Sequence, residues 1–156
     1  MITVRQLKEG DELELWLLKV NTIKSINSKD YSSEEVNGWA PDEYKPEKWL
    51  KRVQDMDPFI AEIAGKIVGF ADIQDDGYID HFFCHNKFQG QGIGKVLMQY
   101  LVNKSKEKAM PRIYSHVSIT AKSFFETFGF KVVKQQTMNI GDQALANYVM
   151  EKVTHD

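Results

Sequence analysis

One cysteine, four prolines and no long apolar run set the first bounds on this 156-residue chain. Cys84 has no partner for an internal disulfide, so a packed core must hold the fold, and a reducing, cytoplasmic compartment fits best. No apolar stretch approaches the ~20 residues of a spanning helix, and the opening MITVRQLKEGDELEL lacks a signal-peptide pattern, so no membrane is expected. Neither sign of charge dominates: the formal net charge is −2 and no lysine/arginine cluster stands out. A nucleic-acid partner is therefore not expected. Internal repeats and low-complexity linkers are missing too. With 42% hydrophobic residues, the chain reads as one globular domain spanning residues 1–156.

What is present concentrates in one stretch, GYIDHFFCHNKFQGQGIGKVLMQYL, from Gly77 to Leu101. Tyr78 to Cys84 is aromatic and β-branched and reads as a strand. Ile93, Val96, Leu97, Tyr100 and Leu101 share one face of a helix. Gly90, Gly92 and Gly94 lie between them and let the backbone approach a bulky ligand closely. The unpaired N–H groups and partial positive charge of a helix N-terminus make this a place for a phosphate. Two familiar loops fail here. The dinucleotide fingerprint needs a third glycine where Lys95 stands. The P-loop needs a glycine at Gln89 and Ser or Thr at Val96. The pattern that fits is Gln-x-x-Gly-x-Gly, carried by Gln89, Gly92 and Gly94.

The rest of the chain supplies alternating elements. Ile2 to Leu7 reads as a strand, and Gly10–Asp11 introduces a helix with Leu13, Trp16, Leu17 and Val20 on its apolar face. Asn21 to Asp57 reads as short helices broken by Gly38, Pro41 and Pro46. Its aromatics, Tyr31, Trp39, Tyr44 and Trp49, are either packing anchors or the lining of an amine pocket. Asp30, Glu34, Glu35, Asp42 and Glu43 mildly favour a cationic substrate, and a solvated face explains them nearly as well. Phe59 to Ala64 and Ile67 to Ile73 form a hairpin about Gly65–Lys66. Asp75–Asp76–Gly77 turns the chain into the Tyr78 strand. After the Ile93 helix, Arg112 to Val117 reads as a strand parallel to Tyr78–Cys84. A helix capped by Ser118 or Thr120 buries Ala121, Phe124, Phe125 and Phe128, and Gly129 ends it. Two strands, Phe130 to Ile140 and Gln143 to Lys152, close the chain about Gly141–Asp142. The expected class is α+β: a mixed, mostly antiparallel sheet of about seven strands flanked by helices.

The glycine loop between its strand and helix resembles the acyl-CoA pyrophosphate loop of the GNAT superfamily of N-acetyltransferases, and the element order resembles that family's order. Ala121-x-x-Phe-Phe-Glu-x-x-Gly129-Phe130 is similar to its fourth-helix motif. Asp30–Tyr31–Ser32, Trp39–Ala40–Pro41, Asn147–Tyr148 and Met150–Glu151–Lys152 resemble an uncharacterised bacterial branch. The resemblance implies a GNAT-like fold and transfer of an acetyl group from acetyl-CoA to a primary amine of a small molecule or peptide, by direct attack in a ternary complex. It implies that Gln89, Gly90, Gln91, Gly92, Ile93, Gly94 and Lys95 hold the pyrophosphate. Phe82, Phe83 and Cys84 would offer backbone to pantetheine and the oxyanion, with Ser118, Ala121 and Phe125 flanking the cofactor. Tyr31 and Trp39 are the candidate acceptor contacts. Homodimers are common in the family, but this sequence carries no signature of one.

Asp80 and His81 interrupt an otherwise apolar strand, and burying either without a partner is costly. Asp80 stands where several GNAT enzymes carry a glutamate base, and His81 is the second candidate; a satisfied core pair is the competing reading for both. The family's acid, a tyrosine four residues before the Gly-Phe pair, is replaced by Phe125. Tyr148, Tyr114 or Tyr31 would have to substitute, or the thiolate leaves unassisted. Phe125 also supports a rival function, a non-catalytic acyl-CoA-binding or sensing domain. Cys84 reads as a small core residue rather than an acyl carrier. His81, Cys84 and His85 do not read as a metal site, because residues four apart on a strand lie ~13 Å apart. No metal is expected.

Overall fold

The computed structural model describes residues 1–40, 43–140 and 143–154. The expected breaker Pro41, the acid Asp42 and the turn Gly141–Asp142 lie outside the described residues. The elements run β1 (Ile2–Arg5), α1 (Glu12–Ser25), a short 3-10 turn (Asn27–Lys29), α2 (Ser33–Trp39), α3 (Pro46–Met56), β2 (Phe59–Ile63) and β3 (Lys66–Ala71). After these come β4 (Tyr78–Ile79), β5 (Phe82–Cys84), α4 (Ile93–Glu107), β6 (Arg112–Ser118), α5 (Lys122–Thr127), β7 (Lys131–Ile140) and β8 (Gln143–Val153). The class is the α+β architecture expected, with one refinement. The run Tyr78–Cys84 is two strands on two sheets, so eight strands form the orders β1-β2-β3-β5 and β4-β6-β8-β7. Among the described residues only the β4–β6 pair is parallel, with Tyr78 opposite Tyr114 and Ile79 opposite Ser115; the helical crossover through α4 makes it so.

Local chemistry explains most boundaries. Arg5 ends β1 by binding Asp11 at 2.8 Å and Glu62 at 3.0 Å. Ser32 and Glu35 form a reciprocal capping box on α2, and Pro46 sits in the first turn of α3. The first hairpin turns at Ala64–Gly65, one residue earlier than expected, since Ile63 pairs with Lys66. Both turn residues have positive φ, 51° and 79°, the type I′ geometry that matches strand twist. In α1 the buried stripe is Leu15, Leu18, Thr22 and Ile23, while Leu13 and Leu17 are about half exposed. The sequence there is apolar almost all round, so its pattern did not define a phase. Tyr100 likewise lies outside the buried face of α4, which is Ile93, Leu97, Met98 and Leu101.

One core lies between α4, α5 and the two sheets, centred on Val68, Ile79, Leu97, Leu101, Ile113 and Met150. A second packs α1 and α3 onto the other face of β2 and β3 through Leu15, Trp49, Val53, Ile60 and Phe70. Among the described residues no helix is long and apolar enough to cross a membrane.

Candidate active site

The two sheets part at Asp80–His81. Upstream, β4 runs beside β6 and ends where the Ser115 hydroxyl donates to the Ile79 carbonyl at 2.7 Å. Downstream, β5 pairs with β3, Phe82 opposite Ala71 and Cys84 opposite Gly69. Two backbone amides at the break have no strand partner, and Asp72 takes both. Its Oδ1 accepts from the N–H of Asp80 at 3.0 Å and of His81 at 2.7 Å, and Oδ2 accepts from Gln74 Nε2 at 2.5 Å. Asp72 is fully buried, and burial outweighs these hydrogen bonds, pushing its carboxyl up to about 6.

Beyond the break a cleft of about 810 Å³ opens between β5 and the His116–Ser118 end of β6. The β3–β5 register, with Asp72 N–H donating to the His81 carbonyl and His85 N–H to Val68, places the N–H of Phe83 on the β3 side. Alternation then leaves the N–H and C=O of Phe82 and Cys84 on the cleft edge. The expected oxyanion donors therefore reduce to Phe82 and Cys84; Phe83 lines the cleft without offering its amide.

At one end of the cleft lies the glycine loop. Gly90 and Gly92 have φ of 78° and 83°, and a Cβ on either would meet nothing within 4 Å. Gly94 serves packing instead: its Cβ would stand 2.8 Å from the Phe124 ring, so helix α4 and Phe124 meet there without a side chain between them. The Gln89 side chain braces the loop by donating to the carbonyls of Cys84 and His85, at 2.9 and 3.2 Å. Among the described residues no backbone N–H from Gln89 to Lys95 has a protein acceptor. Those amides open the first turn of the 15-residue helix α4 and are available to an anion. Ser118 accepts from the Ala121 N–H at 3.1 Å, and both line the cleft.

At the other end are the charged groups. Asp80 is one-third exposed and bound to Arg52 Nη2 of α3 at 3.0 Å. Lys19 of α1 lies over the Trp49 ring, 5.1 Å from its centroid, and burial lowers its ammonium to about 8. Tyr78 and His116 face each other at 5.2 Å. Burial followed by the Asp80 and Asp72 charges raises the Tyr78 phenol to about 12, and burial lowers His116. Trp39 stands edge-on to Tyr31 at 5.5 Å, and both line the cleft. The Tyr31 hydroxyl is committed, donating to the Ala146 carbonyl at 2.7 Å and accepting from the Ile119 N–H at 2.9 Å.

Several expectations change. His81 is 2% exposed, its ring boxed by Trp49, Phe70 and Phe83. Burial and then Lys19 lower its basicity against the pull of Asp80, whose Oδ2 lies 3.3 Å from His81 Nδ1, so the ring is a poor proton acceptor buried beside the cleft that it helps to line. Tyr148 does not line the cleft; it lies under Lys122, 5.0 Å from ring centroid to Nζ. Tyr114 also lies outside, bonded to Asp76. With Tyr31 committed, none of the three substitutes presents a free phenol where the acid would stand. Phe125 does stand there, 3% exposed and edge-on to Phe82 at 5.7 Å. Burial pushes the Cys84 thiol up to about 12, which fits a core residue rather than a nucleophile. The acids Asp30, Glu34, Glu35 and Glu43 do not line the cleft. Ligand atoms of Asp72, Asp80 and His81 lie within 4.8 Å of one another, yet those carboxylates already face N–H donors and the Arg52 guanidinium.

The model of the acetyltransferase (GNAT) domain family matches residues 27–150. The chain belongs to this family. Over 149 residues it is 27% identical to the uncharacterised N-acetyltransferase YafP of Escherichia coli K12, covering 96% of this chain and 94% of that one. A GCN5-related N-acetyltransferase from Rhodopseudomonas palustris superposes with a TM-score of 0.93 at 25% identity, over 97% of this chain and 94% of the other. The PaiA N-acetyltransferase of Thermoplasma acidophilum, in complex with coenzyme A, shares the fold at a TM-score of 0.75 and 22% identity, over 98% and 99% of the chains. As a GNAT protein the chain is an acyltransferase, which favours the enzymatic reading over a binding-only one. Asp72, Arg52, Lys19 and His116 escaped the sequence reading. Asp72 lies next to the end of a strand-like run and looks like a turn residue, Lys19 is one of two lysines on α1 and Arg52 one of three basic residues on α3, where a solvated face is the ordinary reading, and His116 alternates normally on its strand.

Proposed function

We propose that this GNAT enzyme transfers an acetyl group from acetyl-CoA to a primary amine by direct attack, as one catalytic unit spanning residues 1–156. The observation that carries this is the unsatisfied amide run Gln89–Lys95 beside the open edge of β5. A pyrophosphate fits that run, because Gly90 and Gly92 leave room and the helix terminus complements its charge. An extended pantetheine fits the β5 edge through the outward Phe82 N–H and C=O and the Cys84 N–H, the Cys84 carbonyl being taken by Thr22 and Gln89. Gln89 holds the loop in shape, and Phe125 and Phe82 keep the reacting end dry.

Asp80 is the proton acceptor in this reading. It is the carboxylate lining the cleft, at the break where the acyl group would meet a backbone N–H of Phe82 or Cys84. Arg52 fixes its orientation. Phe125 has no proton to give, so the leaving sulfur departs as thiolate, which its ordinary acidity near ~8.5 permits.

The test is initial-rate kinetics with acetyl-CoA and a primary amine both varied, read as free thiol. Intersecting lines are expected, with Asp80→Asn lowering kcat/KM on the order of 100-fold, the usual scale for general base catalysis, and removing the acidic limb of its pH profile. Parallel lines would replace direct attack by an acyl-enzyme, and an unchanged pH profile in Asp80→Asn would remove its role as base.

A further inference from the structure

The charged lining of the cleft is unbalanced at the end away from the glycine loop. Among the described residues Asp80 is the one carboxylate there, and it faces two cations, Lys19 and Arg52. Arg52 spends a single Nη2 contact on Asp80, leaving further donors of its five N–H groups for another oxygen. Lys19 has no carboxylate within ion-pair distance among the described residues; its neighbour is the Trp49 ring. A cation–π contact steadies an ammonium but leaves its charge uncancelled. A partly buried surplus of positive charge is unfavourable unless an anion joins it. At neutral pH most of the Lys19 population remains charged, since burial and Arg52 lower it only to about 8.

Trp39, Met138, Ile140 and Leu145 give the same cleft an apolar lining. Asp30, Glu34, Glu35 and Glu43, which favoured a cationic acceptor, are outside it. We infer that the acceptor is a zwitterionic amine, an amino acid with an apolar side chain, whose carboxylate is held by Lys19 and Arg52 while its amine meets Asp80. This rests on the acetyl-transfer reading, to which it adds the acceptor class.

The test uses matched pairs with the full chain and saturating acetyl-CoA: phenylalanine against phenylalaninamide, and leucine against leucinamide, with rates corrected for the fraction of free amine. The carboxylate member is expected to win by tenfold or more in kcat/KM. Lys19→Met, which keeps a long apolar stem on Trp49, should collapse that ratio at least tenfold, and Lys19→Arg should restore it. Equal or faster turnover of the amides, or a ratio untouched by Lys19→Met, overturns the inference while acetyl transfer stands. Should no amine be consumed, the acetyl-transfer reading fails, and binding decides the anion site alone. Calorimetry would then compare N-acetylphenylalanine with N-acetylphenylalaninamide on the CoA-saturated protein. Tighter binding of the acid, lost in Lys19→Met, supports the site; equal binding, or none, overturns it.

Discussion

Removing the Asp72 carboxylate should weaken both the fold and the cleft. Its Oδ1 satisfies two amides that the divergence of β4 from β5 leaves without strand partners. In Asp72→Ala, the His81 amide, deep in the core, keeps no acceptor, at about 1–3 kcal/mol; the Asp80 amide sits nearer solvent and costs less. A total of about 2–4 kcal/mol is a large share of the roughly 5–15 kcal/mol that holds an ordinary domain together. Asp72→Asn keeps Oδ1 and, with the Gln74 amide turned over, most of the network. It also isolates a pH effect. Burial raises the Asp72 carboxyl from 3.8 to about 6, so the native state holds this proton more tightly than the unfolded chain. The stabilisation is complete below about pH 3.8 and is lost as pH rises through about 6, with an amplitude of about 3 kcal/mol. Urea unfolding followed by the three tryptophans between pH 4 and 8 reads both terms. Asp72→Asn should gain on wild type by about that amplitude from pH 4 to pH 7. Asp72→Ala should also lose acyl transfer more than Asp72→Asn does, because the bend it pins exposes the β5 edge. If Asp72→Ala stays within about 0.5 kcal/mol of wild type, the level expected of an inconsequential surface change, the pinning argument is wrong. An unchanged pH slope in Asp72→Asn refutes the titration argument.

Two further substitutions test the frame around the cleft. Gly77→Ala would drive a Cβ to 2.2 Å from the Arg112 carbonyl oxygen at a φ of +90°. It should cost on the order of 3 kcal/mol in urea unfolding and loosen the β4–β6 pair, overpacking against backbone having no side chain to yield. Ala64→Asn should stabilise by about 0.5–1 kcal/mol, since Ala64 occupies the left-handed region in a type I′ turn that asparagine tolerates better; a thermal melt checks it.

What could be read in advance follows from how each function is encoded. The position of the glycine loop between β5 and α4 was legible because the backbone phosphate binding proposed for it would need a fixed spacing of small residues between a strand and a helix. The parallel β4–β6 pair followed from chain length between strands. Within the loop, the roles of the glycines were not separable: only the fold shows that Gly94 clears Phe124 while Gly90 and Gly92 open space. The phase of α1 was hidden because the LELWLL run, from Leu13 to Leu18, is apolar on nearly every side. The break in Tyr78–Cys84 was hidden because its cause, Asp72, lies eight residues before Asp80, just past the end of β3.

The catalytic end was legible only in part, for an electrostatic reason. Asp80 and His81 were equally conspicuous as polar residues in an apolar run, and sequence gives no measure of exposure. The fold separates them sharply. At the break between β4 and β5 both side chains reach the cleft, but Asp80 is one-third exposed and His81 is 2% exposed. Asp80 is in reach of Arg52, while His81 is packed among Trp49, Phe70 and Phe83 with its Nδ1 3.3 Å from Asp80 Oδ2. The same environment acts on both residues through charge. Lys19 and Arg52 disfavour a proton on His81 and favour an anion near themselves. In the proposed mechanism this lining suits Asp80 as the proton acceptor with a neutral His81 beside it, and the acceptor's own carboxylate would meet the surplus positive charge.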